Sequence, residues 1–264
     1  MTVGVSLLPE KYFVERIGGD LVKVEVLVPP GKSPASYEPT PRQMASMAEG
    51  SLYFRIGVPF EKSWLPRLQQ TVPGMKVVDL RSGLKLRPVD LPNGPAAAPA
   101  RADDADPHIW LSPPLVIRMA DLIRDELIAQ RPAARAAFEA NHARFVGDLK
   151  SLDQDIRTRL ATKTKRHFMV FHPSWGYFAD AYGLIQIPIE AGWKEPGPQT
   201  LARLIDDAKA RNIRVIFVQK QFSKNEAEAV AQAIGGEVLA VDPLAADYLD
   251  NLRRVSDVFA RTLQ

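Results

Sequence analysis

Residues 133–160 read AARAAFEANHARFVGDLKSLDQDIRTRL, and this stretch organises the rest of the chain. Its apolar side chains recur at helical spacing, which predicts one continuous helix about 40 Å long. The apolar stripe consists of Phe138, Phe145, Leu149, Leu152, Ile156 and Leu160. A helix of this length in mid-chain is typical of a rigid spine that joins two lobes.

Strand and helix patterns alternate on both sides of this helix. Before it we expect strands at 22–28 and 51–56 and helices at 11–17, 41–48 and 60–68. After it we expect strands at 168–171, 185–189, 215–218 and 237–241, with a last helix from about residue 244 to the end. Such alternation indicates βαβ units and parallel sheets. We therefore predict an α/β fold with two lobes, each a parallel sheet flanked by helices: a lobe at 1–132, the spine at 133–162 and a lobe at 163–264.

The periodic patterns stop between Leu91 and Asp106, where proline, alanine and aspartate dominate. A loop longer than about 12–15 residues inside a compact domain is either functional or disordered. Its aspartates lack the spacing of an EF-hand, so a solvated acidic loop is favoured over a calcium site.

Composition excludes several classes of function. The 264 residues carry 34 basic and 31 acidic side chains, a net charge of +3, and no basic block of the kind that binds nucleic acid. The chain has no cysteine, which excludes disulfides, thiolate metal sites and cysteine nucleophiles. The motifs GxGxxG, P-loop and GxSxG are absent, so nucleotide binding and serine hydrolase chemistry have no support.

Three polar side chains stand where an α/β sheet would bind a ligand. His172 directly follows one apolar strand pattern, Asp242 follows another, and His108 ends the long loop. Ligands of open α/β sheets bind at the carboxyl ends of strands. Two imidazoles and a carboxylate suit zinc or another first-row divalent ion, although spacing alone also allows three isolated polar residues. We expect His142 to face solvent in mid-helix, and His167 to be a surface residue at a strand start.

Seven short segments carry a resemblance to a known family. They are VLVPPG at 26–31, SPASYEPTP at 33–41, DPHIWL at 106–111, FHPSWGYF at 171–178, EP at 195–196, IFVQKQFS at 216–223 and DPL at 242–244. In this order, over nearly the whole chain, they resemble the zinc/manganese solute-binding proteins of ABC importers. The resemblance implies two α/β lobes joined by one long helix, with a metal bound in the cleft between lobes and delivered to a membrane permease.

By the same resemblance, His108, His172 and Asp242 would be metal ligands, but one family ligand is missing. The first family ligand is a histidine in a Pro-His-[Ser/Thr]-Tyr-Glu-Pro motif, and this chain has Ala35 there. Three explanations are open. The chain is a natural variant in which water or a neighbouring side chain completes the metal coordination, or it is a site-directed His-to-Ala variant. The third explanation is that the protein has drifted to another ligand. We favour retained metal binding with altered affinity or geometry. The loop at 91–106 also lacks the histidines that many zinc-type members have there.

The predicted function is that of a monomeric, non-enzymatic receptor in the periplasm or on the extracytoplasmic surface. It would bind Zn²⁺, with Mn²⁺ as the second choice, and its partner would be an ABC permease rather than a nucleic acid. The chain starts directly in a strand pattern with no signal peptide, so the localisation rests on the resemblance. The alternatives are an adhesion or interaction protein on the same scaffold, a metal-site-impaired variant of the receptor, and a metal-dependent hydrolase.

Overall fold

Short strands, each followed by a helix, build two four-stranded sheets in the computed structural model of this chain. The structure describes residues 1–92, 94–95, 97–190, 196–221 and 224–263. Its contacts divide the chain into a first unit (1–85, 113–153 and 244–249) and a second unit (86–112, 154–243 and 250–264). The predicted two-lobe α/β fold is confirmed.

The first unit is built on a parallel sheet of order β2-β1-β3-β4. Its strands are β1 (Thr2–Val5), β2 (Lys23–Val26), β3 (Leu52–Arg55) and β4 (Lys76–Asp79). Its helices are α1 (Leu8–Gly18), α2 (Pro41–Ala48), α3 (Glu61–Thr71) and α4 (Pro113–Gln130). Helix α2 begins where predicted because Thr40 caps it, accepting a hydrogen bond from the backbone nitrogen of Gln43. The sequence patterns missed β4.

The second unit repeats this strand order. Its parallel sheet runs β10-β9-β7-β8, so in both units the first and third strands lie side by side at the centre. The strands are β7 (His167–Val170), β8 (Ile185–Pro188), β9 (Val215–Gln219) and β10 (Glu237–Val241). The helices are α6 (Gly176–Tyr182), α7 (Pro198–Ala210), α8 (Lys224–Ala233) and α9 (Tyr248–Thr262). Helix α9 begins four residues later than the sequence suggested.

The long helix α5 spans Arg135–Ala161, 27 residues, and matches the predicted spine. Its apolar stripe is buried from Phe138 to Leu160, with at most 1% of each of these side chains exposed. The helix starts in the first unit and ends in the second. Among the described residues, no helix combines the length and apolar composition that crossing a bilayer requires.

The segment that precedes α4 groups differently from the expected boundaries. The expected first lobe ran to residue 132, whereas residues 86–112 belong to the second unit because their hydrogen bonds go to α6 and β8. The long loop is also less irregular than expected. It contains a two-stranded antiparallel ribbon of β5 (Asp90–Leu91) and β6 (Gly94–Pro95), followed by a 3₁₀ turn at Ala102–Asp104. Asn93, Ala96, Glu195, Phe222 and Ser223, which fall in the loop and motif segments above, lie outside the described residues.

Candidate metal centre

His108 lies at the end of the long loop, where a 3₁₀ turn at Ile109–Leu111 begins. The carboxylate of Asp106 fixes it twice, because its Oδ1 is 3.0 Å from the backbone nitrogen and 2.7 Å from Nδ1 of His108. Asp106 is fully buried and His108 is 7% exposed. A neutral ring held this way carries its proton on Nδ1 and presents the lone pair of Nε2.

His172 follows β7 by two residues and is 4% exposed. Its Nδ1 lies 2.5 Å from Oε2 of the buried Glu190. The side chain of Gln219, at the end of β9, accepts from the His172 backbone nitrogen at 3.4 Å and donates to its carbonyl oxygen at 2.7 Å. Burial lowers the pKa of His172, so the ring is neutral at pH 7 and Nε2 is a lone-pair donor.

The two rings lie side by side, with centroids 5.2 Å apart and planes inclined by 70°. Two imidazoles bound to one zinc at about 2.0–2.1 Å, with a tetrahedral angle, place their centroids about 5 Å apart. Each ring also has a carboxylate on Nδ1, which is the usual outer partner of a metal-binding histidine. The pair therefore has the spacing and the supporting groups of a shared metal site.

Asp242 directly follows β10, as predicted, and its side chain is 20% exposed. Its Oδ2 lies 3.5 Å from Nζ of Lys220. Within the described part of the chain, no three histidine, aspartate or glutamate side chains converge closely enough to hold one ion. The structure thus brings His108 and His172 together and shows the Asp242 carboxylate beside a lysine.

The backbone that carries Asp242 is nevertheless tied to the histidine motif. Nε1 of Trp110, two residues after His108, donates to the carbonyl oxygen of Pro243 at 2.7 Å. Nδ2 of Asn251 donates to the carbonyl oxygen of Asp242 at 2.6 Å. These two hydrogen bonds hold the backbone of the 242–243 turn.

Ala35 lies in a turn of the first unit, half-buried, and its backbone nitrogen donates to Oγ of Ser33 at 3.3 Å. Its methyl group offers no donor atom to a metal. Ala35 is the one position of the SPASYEPTP segment at which this chain lacks the histidine of the family motif.

Sequence reasoning missed the carboxylates that orient the histidines. Glu190 follows β8 by two residues and so stands at the carboxyl end of a strand, the same signal that selected His172 and Asp242. Asp106 opens the DPHIWL motif two residues before His108, but the motif alone does not show that its carboxylate contacts the ring. A search for acidic residues at strand ends would have found Glu190.

The two remaining histidines have structural roles. The expectation that His142 faces solvent is wrong: it is 9% exposed, and its Nε2 lies 2.9 Å from Oδ1 of Asp121 on α4. Its polar neighbours along α5 gave no sign of the helix that packs there. His167 is half-buried at the start of β7, and its Nε2 lies 2.9 Å from Nη1 of Arg211. Burial and the Arg211 charge lower the pKa of His167.

Comparisons with known proteins identify the family of this chain. A family model described as the periplasmic component A of the zinc-uptake complex, ZnuA, matches residues 3–262. The chain is 28% identical to the high-affinity zinc uptake system protein ZnuA of Bacillus subtilis (strain 168), over 92% of this chain and 78% of that protein. It is 26% identical to the manganese-binding lipoprotein MntA of Halalkalibacterium halodurans, over 95% of this chain and 84% of that protein.

A solved structure supports the same assignment. The fold superposes on a crystal structure of a ZnuA deletion mutant with zinc bound, with a TM-score of 0.92 and 44% identity, covering 100% of this chain and 98% of that one. Because the family model spans nearly the whole chain and the solved fold matches throughout, this chain belongs to the ZnuA family of periplasmic zinc-uptake components.

Proposed function

We propose that this protein is the metal-binding receptor of an ABC importer, with a divalent transition metal as cargo. His108 and His172 would bind the ion through Nε2, and Asp242 would supply the third protein donor. The observation that carries this proposal is the pair of buried imidazoles, 5.2 Å apart, each with a carboxylate on Nδ1. Membership of the ZnuA family agrees with it.

Zinc is the metal that this donor set favours. Neutral imidazole and carboxylate suit zinc, whereas magnesium and calcium prefer shells made only of oxygen. Manganese also prefers oxygen donors, so it is the second choice, and the relative named for manganese keeps it a candidate. With Ala35 in place of a fourth ligand, a water molecule would complete the tetrahedron around zinc.

The Asp242 carboxylate reaches the metal in this proposal by turning away from Lys220. The turn that carries it is already held by Trp110 and Asn251, so the movement proposed is that of the side chain. Lys220 has 67% of its side chain exposed, and an exposed ion pair of this kind contributes about 0–1 kcal/mol. Coordination of a divalent cation outweighs the loss of such a pair.

The location and partner follow from the family in the same proposal. The protein would act outside the cytoplasmic membrane, as a monomer, and would deliver its ion to the permease of the importer. We infer a transport role rather than catalysis, because the site residues serve coordination and the family is one of transport components. Turnover of a model ester by the zinc-loaded protein would instead indicate a hydrolase.

A calorimetric zinc titration of the chelator-stripped protein tests this function. Four proteins are compared: wild type, the double variant His108→Ala/His172→Ala, the control His142→Ala, and Ala35→His. We expect one-to-one binding by wild type and by His142→Ala, no binding by the double variant, and tighter binding by Ala35→His. The control removes a buried histidine that also contacts a carboxylate, Asp121, without touching the proposed site.

The outcomes separate the explanations of Ala35. Tight binding by both wild type and Ala35→His means that His108, His172 and Asp242 suffice. Binding only by Ala35→His identifies a metal-site-impaired receptor. Unchanged binding by the double variant removes the proposal altogether, because the imidazole pair is then not the site.

A further inference from the structure

Arg87 lies among three carboxylates in the second unit, with 16% of its side chain exposed. Its Nη1 and Nη2 contact both oxygens of Asp90, at 3.1 and 3.0 Å. Nη1 also contacts Oδ2 of Asp106 at 3.1 Å, and Nε contacts Oδ2 of Asp180 at 3.0 Å. One planar guanidinium thus contacts three carboxylates, which belong to Asp90, Asp106 and Asp180.

Asp106 transmits this arrangement to the proposed metal ligand. Its Oδ2 accepts from Arg87, while its Oδ1 accepts from the backbone nitrogen and contacts Nδ1 of His108. Arg87 and His108 therefore share one carboxylate, in which one oxygen contacts the guanidinium and the other contacts the histidine.

The backbone at the two ends of the loop is joined at the same place. The nitrogen of Asp106 donates to the carbonyl oxygen of Arg87 at 3.0 Å, although the two residues are 19 positions apart. The hydroxyl of Tyr177 accepts from the Arg87 nitrogen and donates to the Asp106 carbonyl oxygen, both at 3.0 Å. Arg87, Asp106 and Tyr177 therefore close the base of the loop.

Gly176 shows how closely the guanidinium is packed. A Cβ at this position would lie 1.6 Å from Nη1 of Arg87 and 2.9 Å from Oδ2 of Asp106. Such a distance is impossible for real atoms, so a larger residue at this position requires the Arg87 guanidinium to shift. The Arg87 side chain, and not the backbone conformation, favours glycine here, since the backbone of Gly176 is helical.

We propose that Arg87 is a positioning residue for the metal site, which holds Asp106 and thereby orients His108 while isolating both from the loop at 91–105. The proposal rests on the proposed function of His108 as a ligand. It also assigns the loop a passive part in metal binding, because Arg87, Asp106 and Tyr177 join the two ends of the loop to each other.

Zinc titration and imidazole ¹⁵N NMR of Arg87→Met and Gly176→Ala test this role. The first variant removes the cation, and the second keeps the cation but displaces it. Outer partners of metal-binding histidines are worth about 10–100-fold in affinity, so we expect about a tenfold weaker zinc Kd in both variants. In the metal-free protein, we expect the single Nδ1-protonated tautomer of His108 in wild type and a mixture in both variants.

Arg101→Met is the matched control. Arg101 forms an ion pair with Asp104, three residues on within the same loop, but its side chain is 78% exposed. We expect this variant, and a variant with residues 97–104 replaced by a short glycine-serine linker, to keep the wild-type affinity and the wild-type His108 tautomer.

A double variant with Asp106 distinguishes a positioning role of Arg87 from a general effect on stability. On an Asp106→Asn background, Arg87→Met should weaken zinc binding by less than twofold, because Arg87 acts through that carboxylate. The proposal is overturned if Arg87→Met and Gly176→Ala retain the His108 tautomer, whatever happens to their unfolding midpoints. If wild type itself binds no zinc, the proposed function fails, and the tautomer of His108 still decides the role of Arg87.

Discussion

The two sheets share one strand order, but the polar groups at their central carboxyl edges differ. In each unit the first and third strands lie side by side with crossovers leaving in opposite directions, and such a switch point is where open α/β sheets bind ligands. In the first unit Ser6 follows β1 there, and in the second unit His172 follows β7.

The edge of the first unit is a closed hydrogen-bonded cluster. Oγ of Ser6 lies 2.6 Å from the hydroxyl of Tyr53 and donates to the carboxylate of Glu61. The same carboxylate accepts from the backbone nitrogens of Ile56, at 3.0 Å, and Gly57, at 2.7 Å. Burial raises the pKa of Glu61.

The edge of the second unit uses its carboxylates differently. Asp106 and Glu190 contact Nδ1 of the two histidines, so a metal would bind these rings through Nε2. The same strand order thus carries different side-chain chemistry at the carboxyl edges of the two sheets. In the first unit the carboxylate holds backbone nitrogens and a hydroxyl, and in the second unit carboxylates orient rings that can bind an ion.

The largest expected effect is on zinc affinity, and it distinguishes the carboxyl edge of the second sheet from that of the first. We expect His172→Ala to weaken zinc binding by about a thousandfold, a loss of about 4 kcal/mol, because it removes one of the three proposed protein ligands. The corresponding change in the first unit, Ser6→Ala, should leave the zinc Kd within about twofold. Competition titration with a chelating dye measures both, and equal losses in the two variants would contradict the division of roles.

Glu61→Ala tests whether the cluster at the carboxyl edge of the first sheet stabilises the fold. It would leave the buried nitrogens of Ile56 and Gly57 without an acceptor, at a cost of about 1–3 kcal/mol for each such group. We expect the free energy of unfolding to fall by about 3 kcal/mol, measured by urea denaturation. The exposed Glu38→Ala is the control and should stay within about 0.5 kcal/mol of wild type. If the free energy of unfolding of Glu61→Ala falls no more than that of Glu38→Ala, water replaces the carboxylate as the acceptor.

Glu190→Gln tests whether the carboxylate beside His172 supports metal binding. The amide keeps the shape of the side chain but removes the charge beside Nδ1 of His172, so we expect zinc binding to weaken by about tenfold. Asp121→Asn makes the same change beside His142 and should not alter the zinc Kd. If both variants bind zinc as wild type does, the carboxylate at His172 does not support coordination.

The smallest effect concerns pH and belongs to the first unit. Glu10 is fully buried, and burial, together with the nearby Glu61 charge, raises its pKa well above the usual value of 4.5. Between that value and the raised one, the folded state keeps a proton that the unfolded state loses, so stability falls as pH rises. We expect Glu10→Gln to raise the melting temperature by a few degrees at pH 8 relative to wild type.

The same variant should give no gain at pH 4, where Glu10 is protonated in both states. Thermal unfolding followed by circular dichroism at both pH values measures the difference. Glu15→Gln, on the exposed face of the same helix, is the control. An equal gain at both pH values would show that the amide acts through packing rather than through charge.

Much of the fold could be predicted because local patterns survive folding. The stripe from Phe138 to Leu160 predicted α5 within two residues at each end, and β10 was predicted at its observed bounds. Both depend on side chains that are close in sequence. Strand β4 was missed because only Val77 and Val78 mark its apolar character.

The candidate site was predictable only in part. Strand ends selected His172 and Asp242, and the DPHIWL motif selected His108, because each is a local feature of the sequence. Glu190 and Arg87 could not be assigned their partners, since His172 and Asp106 lie 18 and 19 residues away from them. His142 was placed in solvent for the same reason, because its partner lies on another helix.

The sequence by itself determined the α/β class, the long helix, the absence of thiol chemistry, and the positions of His172 and Asp242 at strand ends. These follow from composition and from periodicity along the chain. Only the tertiary structure decided that the His108 and His172 rings lie 5.2 Å apart, that carboxylates hold both Nδ1 atoms, and that residues 86–112 belong to the second unit. The physical reason is that hydrogen bonds between distant segments depend on distance and direction in three dimensions, and residue order along the chain specifies neither.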